Sequence, residues 1–256
     1  MIRLMARAAL AASFAMIAPS AFGQDAAALP TAEKVFQDYV EATGGKAAYE
    51  KLTNRVTTGT FEVSGANIKG KVTITQAAPN KMKTFTDLGA IGTQSQGTDG
   101  ETAWEISTFN GERILEGEEK DAVALQALFN GEIRPKDRYT KTECVAIEDI
   151  DGKPAAKLVL TRKAGKPVVE YYDLGSHLMV RQLVTTKSPM GEMVIDQQIG
   201  DYRKEDGVLM PHTVTQKIAG QEMVLSFSEI KHNVDLPADT FALPKEILAI
   251  QKKKAK

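Results

Sequence analysis

The chain has 256 residues, of which 43% are hydrophobic and 25% are charged, a composition typical of a folded globular protein. The 32 basic and 33 acidic residues give a net charge of −1, so the chain lacks the basic excess with which nucleic-acid-binding proteins neutralise phosphates. A single cysteine, Cys144, excludes an internal disulfide framework and a cysteine-only zinc site, and three histidines leave little for metal chemistry.

The N-terminus has the pattern of a cleavable signal peptide. Arg3 and Arg7 precede an apolar run over residues 8–18, which is shorter than the roughly 20 apolar residues of a membrane-spanning helix. Small residues, Ala21 and Gly23, occupy the −3 and −1 positions of a cut after Gly23. The sequence therefore predicts a signal peptide over residues 1–23 and export of the mature chain to the periplasm or the medium.

Two segments have helical periodicity. Thr31 is a candidate N-cap for a first helix that carries Val35, Phe36 and Tyr39 at helical spacing. A second amphipathic helix is predicted over residues 116–130. Its predicted buried face consists of Ala122, Leu125, Leu128 and Phe129.

From Arg55 onward the hydrophobic period changes to two, which predicts β-strands. Turn sequences such as Asp99-Gly100, Asn110-Gly111 and Asp151-Gly152 separate short segments and are typical of hairpins. The pattern predicts a mainly β protein with a few helices (α+β), in which about eleven strands form a strongly curved antiparallel sheet, or half-open barrel, covered by helices. A single domain over residues 24–256 is expected, with a core at about 32–244 and a short basic tail at 252–256.

Three stretches carry a resemblance to a known family: residues 98–104 (TDGETAW), 201–212 (DYRKEDGVLMPH) and 230–244. They resemble recurrent stretches of bacterial outer-membrane lipoprotein-sorting-protein-like domains, the LolA/LolB/RseB group of periplasmic proteins. The resemblance implies an unclosed barrel with helices as a lid over a hydrophobic cavity that holds lipid or lipoprotein acyl chains. It also implies an arginine near the first strand that hydrogen-bonds at the lid, and Arg55 is the candidate for this polar gate.

The candidate function is therefore that of a non-enzymatic periplasmic carrier or sensor of lipid or lipoprotein acyl chains. Envelope membrane proteins are further candidate partners, the sequence indicates no cofactor, metal or nucleic acid, and it leaves the oligomeric state open. The residues predicted to line or gate the cavity are Phe61, Val63, Val72, Ile74, Trp104, Ile106, Leu125, Leu128 and Phe129.

Two alternatives stay open at this point. The protein could be an interaction module of the envelope with a filled cavity, using an exposed sheet edge or the acidic helix over residues 116–130. It could also be a hydrolase that uses His212 as a base together with an acid such as Asp206, which requires these two side chains to meet in space.

Overall fold

The computed structural model describes residues 28–66, 68–188 and 191–254, and the predicted signal peptide lies outside these residues. The described residues form five helices and thirteen strands. The helices are α1 (Ala32–Ala42), α2 (Lys46–Tyr49), α3 (Gly117–Ala127), α4 (Pro135–Arg138) and α5 (Lys245–Lys254). The strands are β1 (Asn54–Val63), β2 (Ile68–Ala77), β3 (Lys81–Asp87), β4 (Thr93–Thr98), β5 (Ala103–Ser107), β6 (Gly111–Ile114), β7 (Tyr139–Ile150), β8 (Lys153–Arg162), β9 (Val168–Asp173), β10 (Met179–Ser188), β11 (Gly191–Glu205), β12 (Val208–Ile218) and β13 (Gln221–His232).

All thirteen strands belong to one antiparallel sheet with the order β6-β5-β4-β3-β2-β1-β13-β12-β11-β10-β9-β8-β7. Two meanders, β1–β6 and β7–β13, are joined where β1 pairs with β13. The predicted open, curved antiparallel sheet is confirmed, with thirteen strands in place of about eleven. The two edge strands, β6 and β7, are consecutive in the chain, and residues 115–138 connect them. We call this segment the helical connection; it contains α3 and α4.

Helix α1 packs on one face of the sheet, which we call the inner face. The predicted N-cap is confirmed, since the side chain of Thr31 accepts a hydrogen bond from the backbone N–H of Lys34 at 3.2 Å. The residues that share this core are Ala32, Val35, Phe36 and Tyr39 of α1 and Tyr139, Ala156, Leu158, Leu160 and Tyr172 of the sheet. Cys144 is half-buried and packs against the same cluster, as a small apolar side chain does.

Helix α3 packs on the same inner face at the other half of the sheet. Its buried residues are Val123 and Ala127, one turn apart, and they contact Met82, Ala103 and Leu115.

The predicted buried face of α3 is therefore wrong. Ala122 and Leu125 are only half-buried, and the helix ends at Ala127, with an extended backbone at Leu128. Phe129 lies beyond the helix and packs against Tyr49 and Leu52 in a separate cluster.

Helix α5 packs against the edge strand β6. The side-chain amide of Gln251 donates to Thr102 Oγ1 at 3.1 Å, and Lys254 forms an ion pair with Glu116 at 2.6 Å. The first lysines of the predicted basic tail, Lys252–Lys254, thus belong to a helix that covers a sheet edge. None of the helices in the described segments is long and apolar enough to cross a bilayer.

The end of α1 is fixed to the β11–β12 turn at a place that only glycine fits. Gly44 has φ +127°, and a Cβ there would lie 2.5 Å from the carbonyl oxygen of Gly207. The adjacent Thr43 carbonyl accepts a hydrogen bond from Leu209 N at 2.8 Å, so neither backbone can move away freely.

We expect Gly44→Ala to lower the free energy of unfolding by about 3 kcal/mol or more, because it adds a collision to an unfavourable backbone angle. Gly152→Ala is the matched control, since Gly152 has φ +81° and no heavy atom lies within 4 Å of the place that its Cβ would take. The free energy of unfolding of this control should fall by only about 1 kcal/mol. Urea unfolding of both variants measures the difference, and equal losses would contradict the proposed close contact.

Candidate ligand-binding surface

The inner face of the central strands carries a row of apolar side chains, which we call the inner strip. Strand register places its members on one face, because Phe61 is paired with Leu225 of β13 and with Gly70 of β2. The inner strip consists of Phe61, Val63, Val72, Ile74, Val214 and Leu225. Phe61 and Val72 are buried, whereas the other four are half-buried, so this part of the inner face remains accessible from outside.

Four of the nine predicted lining residues, Phe61, Val63, Val72 and Ile74, thus lie together in the inner strip. Leu125 and Leu128 are half-buried in the helical connection, and Phe129 is buried at its far end.

Trp104 and Ile106 lie elsewhere. Ala103 and Glu105 of β5 face α3, so alternation along the strand directs Trp104 and Ile106 to the outer face. Trp104 is nevertheless only 3% exposed, and it is paired with Ile114 of β6, the strand against which α5 packs. The structure therefore separates these two residues from the inner strip.

The C-terminal end of α3, near the middle of the helical connection, is attached to the sheet through Arg55 and Gln76. Arg55 donates from Nη2 and Nε to Gln76 Oε1, at 2.6 and 3.2 Å. Gln76 in turn donates from Nε2 to the backbone carbonyl of Gln126, in the last turn of α3, at 2.9 Å. The guanidinium of Arg55 also lies 5.8 Å from the ring centre of Phe129. Arg55, the predicted polar gate, thus contacts the helical connection directly and through one glutamine.

The N-terminal end of the helical connection is held by Arg113 of β6. Arg113 Nη2 lies 2.8 Å from Glu105 of β5 and 2.9 Å from Glu119 of α3, and it joins both carboxylates. Glu105 is 3% exposed and also accepts from the side chain of Asn110 at 2.9 Å. Although burial opposes ionisation, the hydrogen bonds from Asn110 and Arg113 leave the pKa of Glu105 below its ordinary value of 4.5.

Two buried histidines lie on the inner face beside Arg55. His232 is the cross-strand partner of Arg55, and its Nδ1 lies 3.2 Å from Asp206 Oδ2. His212 Nδ1 lies 2.7 Å from the carbonyl oxygen of Phe227. We call Arg55, Gln76, Met210, His212 and His232 the polar floor of the inner strip.

The contacts of these histidines differ from the hydrolase hypothesis. The acid beside His212 is Glu205, with Nε2 and Oε1 3.0 Å apart but not aligned as a hydrogen bond, whereas Asp206 contacts His232. The predicted pair of His212 with Asp206 is therefore wrong. Within the described residues, neither histidine ring forms a hydrogen bond with a serine, threonine or cysteine side chain.

A second buried polar group lies under α1 and was not predicted. Glu170 of β9 is 1% exposed, and its carboxylate accepts from Tyr172 OH at 2.6 Å, Gln182 Nε2 at 2.9 Å and Tyr139 OH at 3.0 Å. Burial and the nearby Glu170 charge raise the pKa of Tyr172 well above its ordinary 10.0, so this hydroxyl remains a donor. The only sequence signal is the position of Glu170 between the apolar Val169 and the aromatic Tyr171.

A cleft of about 530 Å³ opens at the outer face, away from the inner strip. Its walls come from the β7–β8 hairpin, β9, β10, β11 and β12. Lining residues include Lys153, Ala155, Asp173, Gln198, Gly200 and Thr213. Its lining acids are Asp151, Asp173 and Asp201. Asp173 accepts from the Ser176 hydroxyl at 2.6 Å, and Asp201 forms an ion pair with Arg203.

Comparisons with known proteins rest on the structure alone, because no family model and no curated protein matches the sequence. A LolA superfamily protein from Nitrosomonas europaea superposes with a TM-score of 0.58 at 16% identity, over 84% of this chain and 98% of that one. An outer membrane lipoprotein-sorting protein domain from Vibrio parahaemolyticus gives 0.56 at 14% identity, over 82% and 97%. A DUF1329 family protein from Desulfovibrio piger gives 0.55 at 15% identity, over 82% and 96%.

The chain has the fold of the LolA superfamily. The resemblance seen in the sequence is thus confirmed for the fold, and the superposed regions cover almost the whole of each LolA-type neighbour. In this sheet, the inner strip and the polar floor lie on β1, β2, β12 and β13, beside the place where Gln76 holds the last turn of α3.

We expect Gln76→Ala to loosen the C-terminal attachment of the helical connection, because it removes both the acceptor for Arg55 and the donor to Gln126. The local stability of residues 117–129 should fall by about 1 kcal/mol per lost hydrogen bond. Hydrogen–deuterium exchange of that segment measures the change. Gln96→Ala, at a half-buried inner-face glutamine of β4, is the control and should leave exchange unaltered.

The Glu105–Arg113 contact should make the N-terminal attachment sensitive to acid. A carboxyl whose pKa is lower in the folded state than in the unfolded chain stabilises the fold at pH values above its ordinary pKa of 4.5. This stabilisation is lost as the pH falls through the lower, folded-state pKa. We therefore expect the melting temperature of the wild type to fall more steeply below pH 4.5 than that of Glu105→Gln. Glu112→Gln, at an exposed position of β6, should follow the wild-type curve; parallel curves for all three proteins would contradict the assignment.

Proposed function

We propose that the protein is a non-enzymatic carrier or sensor of the bacterial envelope that binds the acyl chains of lipids or lipoproteins on its inner strip. The observation that carries the proposal is the inner strip itself: apolar, half-buried, and bordered by a helical connection with polar attachments. The fold agrees with this role, because one LolA-type neighbour is described as an outer membrane lipoprotein-sorting protein domain.

Burial of hydrocarbon supplies the binding free energy in this proposal. Each buried CH₂ group contributes about 0.8 kcal/mol, so a chain of a dozen carbons covered by the inner strip offsets much of its loss from a membrane. The four half-buried residues of the inner strip, Val63, Ile74, Val214 and Leu225, still have apolar surface to cover, which favours an apolar ligand over a polar one.

The helical connection is the proposed gate. Its attachments, Gln76 to Gln126 and Arg113 to Glu119, are a hydrogen bond and an ion pair at the two ends of α3. Contacts of this kind contribute about 1 kcal/mol each and can break without unfolding the sheet. A ligand could then enter and leave while the thirteen strands stay paired.

The same proposal includes two further points: the protein is exported, and it binds its ligand without catalysing a reaction. The signal-peptide pattern over residues 1–23 supports a location in the periplasm or outside the cell. The contacts of His212 and His232 support binding rather than hydrolysis, because neither histidine has a hydroxyl or thiol nucleophile beside it in the described segments.

A protein-binding role is the second candidate, and the edge strand β7 favours it. Val145 and Ile147 on this edge are 46% and 41% exposed, and such an apolar edge can accept an additional strand from a partner.

We expect Leu225→Trp to abolish binding of palmitate and of a fluorescent fatty-acid analogue, because the indole would fill the inner strip. Val224→Trp is the matched control, since Val224 is the next residue of β13, is also half-buried, and points to the outer face. Fluorescence titration and native mass spectrometry after delipidation measure binding. If the wild type bound neither palmitate nor the fluorescent analogue, the acyl-binding proposal would be overturned. If both tryptophan variants captured the same partner protein equally well, protein binding at the edge strand β7 would be favoured.

A further inference from the structure

The guanidinium of Arg55 forms no ion pair with a carboxylate of the described residues. Its hydrogen bonds go to the neutral Gln76 amide and, from Nη1, to the sulfur of Met210 at 3.6 Å, which is a weak acceptor. No carboxylate pairs with it among the described residues, although Asp206 and Glu205 lie in the neighbouring turn. A half-buried cation on an inner face thus retains donor capacity that neutral acceptors do not fully use.

His232, directly across from Arg55, has a buried nitrogen without a partner. Its side chain is 0% exposed, and its Nδ1 faces Asp206, but its Nε2 has no hydrogen-bond partner within the described segments. Burial first, and then the charge of Arg55, lower the pKa of His232 below its ordinary 6.5. The imidazole is therefore neutral at pH 7. With the Nδ1 hydrogen directed to Asp206, Nε2 presents a lone pair.

We propose that the polar floor binds the carboxylic acid head group of a single-chain fatty acid, held between Arg55 and His232, with the acyl chain along the inner strip. This inference rests on the proposed function and narrows its ligand class. The Arg55 N–H groups donate to a carboxyl oxygen. The ligand is a carboxylate at pH 7, so one proton is taken up from solvent on binding and lies between the second carboxyl oxygen and His232 Nε2. Arg55 and His232 Nε2 then both have a partner.

The direction of the inner strip agrees with this orientation. Arg55 and Val63 lie at opposite ends of β1 on the same face, and the strand rises about 3.3 Å per residue, so the two ends are about 26 Å apart. One leaflet of a bilayer has a hydrocarbon depth of about 15 Å. The inner face of β1 is therefore longer than one acyl chain, so a chain whose head group lies at Arg55 can lie along it over its whole length.

A neutral head group fits the floor less well. An ester has acceptors for Arg55 but no proton for His232 Nε2, and it brings no charge opposite the guanidinium. The floor should therefore distinguish an acid from its methyl ester even though the two carry the same hydrocarbon chain.

The test compares palmitate with methyl palmitate, each displacing a bound fluorescent fatty-acid analogue from the full mature chain at pH 7. We expect the wild type to prefer palmitate by at least about tenfold. Arg55→Gln should bring the preference close to one while methyl palmitate still binds. His232→Asn retains a side-chain nitrogen toward Asp206 and removes only Nε2, and it should reduce the preference several-fold.

Arg203→Gln is the matched control, because Arg203 pairs with Asp201 on the exposed surface and lies outside the polar floor. Equal binding of palmitate and methyl palmitate by the wild type would overturn the head-group inference and leave acyl binding intact. Binding of neither would overturn the proposed function itself. If Arg55→Gln fails to fold, the head-group inference is still tested by the preference of the wild type for palmitate over methyl palmitate and by the loss of that preference in His232→Asn.

Discussion

The pairing of β1 with β13 is the contact on which the rest of the molecule depends. It joins strands from opposite ends of the described chain, with Arg55 opposite His232 and Phe61 opposite Leu225. Without it the two meanders would be separate sheets with no common inner face. The register shift at Gly59 shows how closely the strands approach, because a Cβ there would lie 2.3 Å from the carbonyl oxygen of Ser226. A slip by one residue would turn both the inner strip and Arg55 to the outer face.

The order of the strands also explains why the gate is where it is. The sheet is open, and its two edges, β6 and β7, are consecutive in the chain, so residues 115–138 must span the distance between them. Helix α3 buries only Val123 and Ala127 against the sheet, and its ends are held by polar contacts. Because so little of α3 itself is buried, this helix can detach locally at a low cost in free energy, whereas Leu115 and Phe129 on either side of it are buried.

Much of this architecture follows from local sequence patterns, because turn chemistry and alternation act over a few residues. Asp99-Gly100, Asn110-Gly111 and the N-cap Thr31 are local signals, and each marks an end of an element in the structure.

The buried polar groups required information that local patterns do not contain. Glu170 is a charged residue type that is usually solvated, and it is buried here because Tyr139 and Gln182, from other strands, supply its hydrogen bonds. Trp104 resembles a cavity wall in sequence, but its face is decided by which helix covers which side of β5. The partner of His212 depends on the twist of one turn, which places Glu205 rather than Asp206 beside it.

In the proposed function, the position of Arg55 would couple ligand binding to the helical connection. Two of its N–H groups are directed to Gln76 Oε1, and Gln76 holds the carbonyl of Gln126 in α3. A carboxylate at the polar floor is a stronger acceptor than this amide and competes for the same N–H groups. Gln76 would then lose the contact that fixes its orientation, and the C-terminal attachment of the helical connection would weaken. Because such coupling is reciprocal, detachment of the helical connection by a membrane or a partner would free Arg55 and change its affinity for the acid by the same factor. Under this proposal, the guanidinium of Arg55 would respond both to a ligand on the inner strip and to the attachment of the helical connection.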